Sequence, residues 1–303
     1  MRSSVLRVYL ALATVYLVWG STYLAIRWGV AVTPPYLFAS VRFLAAGALL
    51  LIYVRWRRLP LPRLASDWKV IGLTAVLLLV GANGLVTWSE QWVASNQAAL
   101  MVATSALWMA GIGSLGANRE PQSLATWGGL LVGFLGVVVL VGDGLLQQSA
   151  PGPAYLALVI SPILWAAGSI YGRRHPLSCP PLVTATFQML IAGVLMGLIG
   201  LAAGEGERWR WTSQSWAAWA YLTVFGSCIA YGAYYWLVHN VTPALLGTYA
   251  YVNPAVAVLL GCWLGGESLN RLQVMGTGVI LIGVVLVSWS QRPARPVAAT
   301  SRQ

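Results

Sequence analysis

Inside an apolar run that begins near Val8, the stretch VWGSTYLAIRW places Trp19, Thr22 and Tyr23 three and four residues apart, on one face of a helix. The spacing recurs at Trp165, Gly168 and Ser169. Such a set offers no nucleophile or base. It offers an aromatic wall with small and hydroxylated residues beside it, the lining of a pocket for a small, partly apolar molecule. Further polar residues stand at similar depth: Asn83 and Thr87 on one face, Tyr231 with Tyr234 and Tyr235, Met101 with Thr104, Ser105 and Trp108, and Tyr249 with Tyr251 and Asn253. Hydroxyls and amides hold the carboxylate and ammonium of a zwitterion without a buried counter-charge. Asn253 precedes Pro254, and a proline inside a span frees a carbonyl for a ligand or water. Each of these residues also has a plainer use, in hydrogen bonds between helices or, for tryptophan, in an interfacial belt.

The elements that would position them are membrane helices. The chain has 303 residues, 58% hydrophobic and only 8% charged, with a mean hydropathy of +0.73; soluble domains carry roughly 25% charged residues. About 20 apolar residues span a hydrocarbon core of about 30 Å. Apolar windows broken by glycine, proline and charge predict ten helices at about 8–28, 35–54, 69–88, 96–116, 123–141, 153–172, 181–203, 215–237, 244–264 and 271–289. The first is read as a span rather than a signal peptide, because the apolar segment runs on to about Trp28 without a cleavage site. Cys179, Cys228 and Cys262 are too widely spaced for a zinc site or a disulfide framework, and no cofactor or metal is expected.

Self-comparison reveals a duplication. In the first two spans residues 146 apart correspond: Trp19 with Trp165, Arg27 with Arg173, Leu44 with Leu190, Gly47 with Gly193. From the third span the separation is 147, matching Glu120 with Glu267, Gly129 with Gly276 and Gly136 with Gly283. The predicted fold is therefore an all-α polytopic membrane protein of ten transmembrane helices, arranged as two inverted five-helix repeats at 8–145 and 152–290, with a cytoplasmic tail at 291–303. An odd number of spans makes the second copy enter from the opposite side, the plan of secondary transporters.

The net charge of +11 would suggest nucleic acid in a soluble chain, but here the basic residues sit in short clusters between apolar runs. Thirteen of the eighteen Lys and Arg residues fall on the side of both termini and four on the other, which places both termini in the cytoplasm. The exception is Arg42, about two turns inside the second span. Unpaired at the membrane centre it would cost roughly 2.5 to 3.5 kcal/mol; its repeat mate is Gln188, and a structural pair with Glu90 is expected, with a substrate contact as the alternative. Glu120 and Glu267 close the fourth and ninth helices beside Arg119 and Arg271, where end-of-helix ion pairs or caps are expected and matched gate hinges are the alternative. The glycine-rich fifth and tenth helices are expected at the periphery, packed on their own half or on another copy.

The segments LVWGSTYLAIRWG from Leu17, VRFLAAG from Val41, VFGSCIAYGAYYW from Val224 and TPALLGTYAYVNPAVAVLLGCWLGGESL from Thr242 resemble the EamA-type carriers of the drug/metabolite transporter superfamily. The resemblance runs from about Val8 to Ser290 and is strongest to bacterial amino-acid exporters; it implies export of amino acids or metabolites across the inner membrane. Asn253-Pro254 departs from symmetry, since Ala106 and Leu107 stand at the equivalent positions, so only the second half is expected to kink there.

An intramembrane enzyme would need a nucleophile and base at depth, yet the only histidines, His175 and His239, lie at helix ends; the chain is not expected to be an enzyme. A channel would show a more continuous polar stripe. Phosphorylated substrates call for several Arg or Lys at depth, and a cationic drug for an acid beside the aromatics. An uncharged, aromatic lining instead suits neutral or hydrophobic amino acids. The partners expected are such a small-molecule substrate and the lipid bilayer, with no nucleic acid; whether copies associate is left open. With no Asp or Glu deep in a span, facilitated efflux is expected.

Overall fold

The computed structural model describes residues 2–93, 95–116, 119–145, 150–265 and 271–290. Glu267 and the tail at 291–303 lie outside these. Every described element is helical, and ten long helical runs follow one another, with a short 3-10 turn at Glu205–Arg208 before the eighth: α1 (Arg2–Val30), α2 (Pro35–Trp56), α3 (Ala65–Ser89), α4 (95–113), α5 (Leu124–Leu145), α6 (Gly152–Arg174), α7 (Pro181–Ala202), α8 (213–240), α9 (243–265) and α10 (Arg271–Ser290). α1, α2, α3, α6 and α7 contain uninterrupted apolar runs of membrane-spanning length. Prolines set several starts: Pro35 and Pro181 open their helices, each after an extended proline, where the missing N–H costs nothing. Thr212 and Ser215 form a reciprocal cap on α8, and Thr242 caps α9 ahead of Pro243.

The helices do not pack as two separate five-helix bundles. One buried cluster joins α2, α3, α7 and α8 through residues such as Phe43, Leu78, Met189 and Tyr235. A second joins α4, α5, α9 and α10 through Ala106, Leu130, Tyr251 and Ile280. α1 and α6 run between them, sharing a core of Leu12, Val15, Ala166, Tyr234 and Tyr249.

Two crossings depend on the absence of a side chain. A Cβ at Gly47 would lie 2.8 Å from Leu190 Cδ2, and one at Gly193 would lie 2.7 Å from Leu44 Cγ, so α2 and α7 interlock reciprocally. α5 and α10 come closer still: a Cβ at Gly283 would lie 2.5 Å from the Gly133 nitrogen, and one at Gly136 2.6 Å from the Ile280 nitrogen. The expectation that the fifth and tenth helices pack on their own half is thus corrected. They pack on each other, because their glycines let two backbones meet.

Acidic residues fasten the helix ends. Glu120 pairs with Arg173, not with the adjacent Arg119, at 2.7 and 3.2 Å. Arg173 also donates to the carbonyls of Val238 and Val241, so one guanidinium ties three connections together. Glu205 accepts from the Leu37 amide at 2.9 Å at the start of α2, where a carboxylate also favours the helix dipole. Asp67, at the start of α3, accepts from the hydroxyl and amide of Ser178. Trp209, Trp211, Trp216 and Trp219 cluster at the α7–α8 connection, where α8 begins, in the manner of an interfacial belt.

Four of the helices are irregular. α3 widens to π-helical geometry over Ala75–Asn83, and α8 over Leu222–Tyr231. α4 and α9 are each broken once, at Thr104 and Thr248, where the amide bonds the carbonyl three residues back and the hydroxyl bonds the same carbonyl. α9 stays helical through Pro254, and both α4 and α9 are interrupted at a threonine.

The glycine crossing gives a direct test. Gly283→Val should destabilise the protein by about 3 kcal/mol through overpacking. Gly278→Val on the same helix, where a Cβ meets nothing within 4 Å, should be close to neutral. Thermal unfolding in detergent compares the two; equal midpoints would count against the close α5–α10 crossing.

Candidate binding cavity

Where α1, α2, α3, α4, α6, α8 and α9 converge, a cavity of about 80 Å³ opens, room for several waters at about 15 Å³ each. Its floor is aromatic. Trp19 and Trp165 meet edge to face with centroids 5.4 Å apart. Tyr249 packs edge-on against Trp19 at 5.2 Å, and Tyr231 lies 6.3 Å from Trp165. Tyr234 underpins the group: its hydroxyl accepts from Trp165 Nε1 at 2.7 Å and meets Ser169 Oγ at 2.7 Å. Along α1 the lining continues from Trp19 through Thr22 and Tyr23 to Ile26, and along α9 from Tyr249 to Asn253. The floor therefore lies toward the start of α1 and the end of α8, and the cavity extends away from it.

The π-helical turns supply two of the walls. Leu79, Ala82 and Asn83 come from the loosened turns of α3, and Gly226, Ser227 and Tyr231 from those of α8. Each stretch has a carbonyl answered by a side chain from the other part of the chain. Trp19 Nε1 donates to Gly226 O at 3.1 Å, and Ser161 Oγ donates to Ala82 O at 3.0 Å. π-Helical turns of this kind are common at functional sites.

Eight of the residues singled out in the sequence meet at this cavity: Trp19, Thr22, Tyr23, Asn83, Trp165, Tyr231, Tyr249 and Asn253. Four further candidates, Thr87, Met101, Ser105 and Ser169, do not line it. Thr87 turns its hydroxyl back onto Asn83 O at 2.8 Å. Met101 packs behind the wall with Tyr23 and Val86, next to the lining residue Val102. Ser105 is fully buried after the break in α4. Ser169 is occupied by Trp165 O and Tyr234. A shared helix face thus brought each of the four near the cavity, and back-bonding or a one-residue change of phase kept it out.

Arg42 requires the largest correction. It is not paired with Glu90: the only ion pair among the described residues is Arg173–Glu120. Arg42 lines the cavity, 5% exposed, with Nε donating to Ser227 Oγ at 2.9 Å and its guanidinium carbon 4.9 Å from the Phe43 ring centroid. Neither Nη atom makes a hydrogen bond among the described residues. The lining is therefore not uncharged. Glu90, just past the end of α3, is 2% exposed, and neither of its carboxylate oxygens has a hydrogen-bond partner among the described residues. Gln188, the repeat mate of Arg42, sits elsewhere, buried and bonded to Thr74 and Tyr231. Ser227 and Ser161 were also missed; their one sequence signal was position, Ser227 after Gly226 and Ser161 before Pro162, an intrahelical proline.

Comparison with known proteins places the chain. The family model described as the EamA-like transporter family matches residues 6–142 and again residues 152–289. The uncharacterized inner membrane transporter YedA of Escherichia coli (strain K12) is 41% identical over 294 residues, covering 95% of this chain and 94% of that one. An uncharacterized transporter of Archaeoglobus fulgidus is 23% identical, with 94% and 98% covered. A solved crystal structure superposes with a TM-score of 0.77 at 23% identity, covering 96% of this chain and 99% of that one, and so has the same fold. Matched by the family model in both halves and by close kinship along almost its whole length, the chain belongs to the EamA-like transporter family.

Proposed function

We propose that this transporter exports amino acids, chiefly neutral and hydrophobic ones including the aromatic, across the bacterial inner membrane. The observation that carries this reading is a cavity whose floor is aromatic and whose walls present an arginine and two amides, Asn83 and Asn253. The aromatic floor takes an apolar side chain, and the polar wall takes the ends of a zwitterion. Trp19, Thr22, Tyr23, Asn83, Trp165, Tyr231, Tyr249 and Asn253 form the contact surface, with Thr87, Met101, Ser105 and Ser169 holding it from behind.

Transport runs by alternating access of two inverted five-helix repeats, 8–145 and 152–290, with both termini in the cytoplasm. Three features support the inversion. The family model matches twice; the Gly47–Leu190 and Gly193–Leu44 contacts exchange repeat mates; and the π-helical stretches start 147 residues apart, at Ala75 and Leu222. In this orientation the aromatic floor seals the cavity on the cytoplasmic side, which favours a carrier over a continuous channel. The lining holds no Asp or Glu among the described residues, which supports facilitated efflux over carboxylate-based proton coupling.

Purified protein in liposomes loaded with phenylalanine or leucine should release them faster than protein-free liposomes do, at a rate indifferent to an imposed pH gradient. Equal release would sink the substrate class, and strong pH dependence would sink the facilitated mode. Trp19→Ala should lower this flux about tenfold by opening the floor. Trp19→Phe should retain more of it while losing about 1 kcal/mol of stability with the bond to Gly226 O. Unchanged flux in Trp19→Ala and Trp165→Ala would remove the aromatic floor from the binding surface.

A further inference from the structure

Arg42 is a buried cation with unused donors. A guanidinium carries five N–H groups; one, on Nε, goes to Ser227, and the four on Nη1 and Nη2 have no protein acceptor among the described residues. The guanidinium carbon lies 4.9 Å from the Phe43 ring centroid. The bond to Ser227 fixes the plane of the fork from the α8 side, and the Nη atoms remain for the cavity the residue lines. A held guanidinium with two free N–H edges matches the two oxygens of a carboxylate.

No carboxylate among the described residues makes a salt bridge or hydrogen bond to Arg42. Glu90 lies one helical turn beyond the lining residue Val86, near enough for its charge to act on Arg42 but without direct contact to the fork. Asp67, Glu120 and Glu205 are each engaged at helix ends. Elsewhere in the same lining, Asn253 is 1% exposed and its Oδ1 has no hydrogen bond of good geometry, so the lining holds an unengaged acceptor as well as an unengaged donor. We propose that Arg42 is the carboxylate anchor of the transport site: the substrate's carboxylate docks on the Nη edge, with Asn253 Oδ1 accepting from its ammonium. The assignment rests on the transport reading above and narrows it to ligands that carry a free carboxylate. Ser227 is a positioning residue that acts through Arg42.

The experiment compares L-phenylalanine, L-phenylalaninamide and 3-phenylpropionate, which share a ring and differ in the carboxylate and ammonium. Binding is measured by calorimetry on purified protein and transport in proteoliposomes, for wild type, Arg42→Lys, Arg42→Gln, Ser227→Ala and the double variant Arg42→Gln/Glu90→Gln. In wild type the amide should bind about 10- to 100-fold more weakly than the acid, the loss expected for hydrogen bonds to a charged group. Arg42→Gln should abolish that preference, Arg42→Lys should keep part of it, and Ser227→Ala should weaken it with the charge unchanged. The double variant should stay without it.

Equal binding of acid and amide by wild type overturns the anchor while leaving amino-acid transport standing. Recovery of the acid preference in the double variant also overturns it, since Arg42 would then only balance Glu90. If phenylalanine is not carried but 3-phenylpropionate binds in an Arg42-dependent way, the amino-acid reading fails and the anchor holds. If no probe binds, both fail. Thermal unfolding of each variant separates lost binding from lost folding, and the wild-type comparison of acid and amide decides even if Arg42→Gln does not fold.

Discussion

Hydrocarbon offers no partner to a backbone carbonyl or a charged side chain, so every polar group at depth is answered by another helix or faces water. The cavity of this transporter follows from that constraint. Where α3 and α8 loosen into π-helical turns, carbonyls such as Ala82 O and Gly226 O accept from side chains of neighbouring helices, Ser161 on α6 and Trp19 on α1. These bonds cross between the two sequence repeats in opposite directions. The same turns that widen the backbone enough to line a cavity thereby bind it to the pair of helices running through the centre, and the indole of Trp19 serves as floor and as donor at once.

Around this centre the packing separates contacts suited to stay fixed from contacts suited to move. The α2–α7 and α5–α10 crossings bring backbones together at glycine, where interlocked leucines or direct backbone contact leave little freedom to slide. Among the described residues the irregular turns instead fall in α3, α4, α8 and α9, at Ala75–Asn83, Thr104, Leu222–Tyr231 and Thr248. Bending at such positions is cheaper than shearing a packed crossing, since only a few backbone bonds change partner. The Arg173 fork, shared among Glu120, Val238 O and Val241 O, lies at the end of the molecule beyond the aromatic floor. Any opening on that side has to release it.

Much of this was legible in the sequence because apolar length and glycine spacing depend on one helix at a time. Ten helices could be counted, and Trp19, Trp165 and Tyr249 could be placed at depth, from hydropathy and a 3.6-residue period alone. What the sequence hid involves partners far along the chain. The destination of Arg42 depends on where Ser227 arrives, 185 residues later, and no local pattern announces that. Thr87 and Ser169 share faces with lining residues, but a hydroxyl that bonds its own helix is silent in a periodicity argument. The pairing of α5 with α10 was hidden for a related reason: a glycine stripe says that something approaches closely, not which helix does.

The asymmetry of the site has a consequence for recognition. A cavity lined by identical groups from two inverted halves would bind a small ligand in two opposed orientations of equal energy, and such a ligand would present different ends to the two gates at random. Trp19 and Trp165 come close to that degenerate arrangement, as mates meeting edge to face. Arg42 breaks it, because its mate Gln188 is committed to Thr74 and Tyr231 and supplies no charge to the cavity. Asn253, opposite in the sequence sense to Ala106, breaks it again. In the proposed carrier, an aromatic floor drawn from both halves would provide tolerance for side chains, while residues present in only one half would give the ligand a single direction.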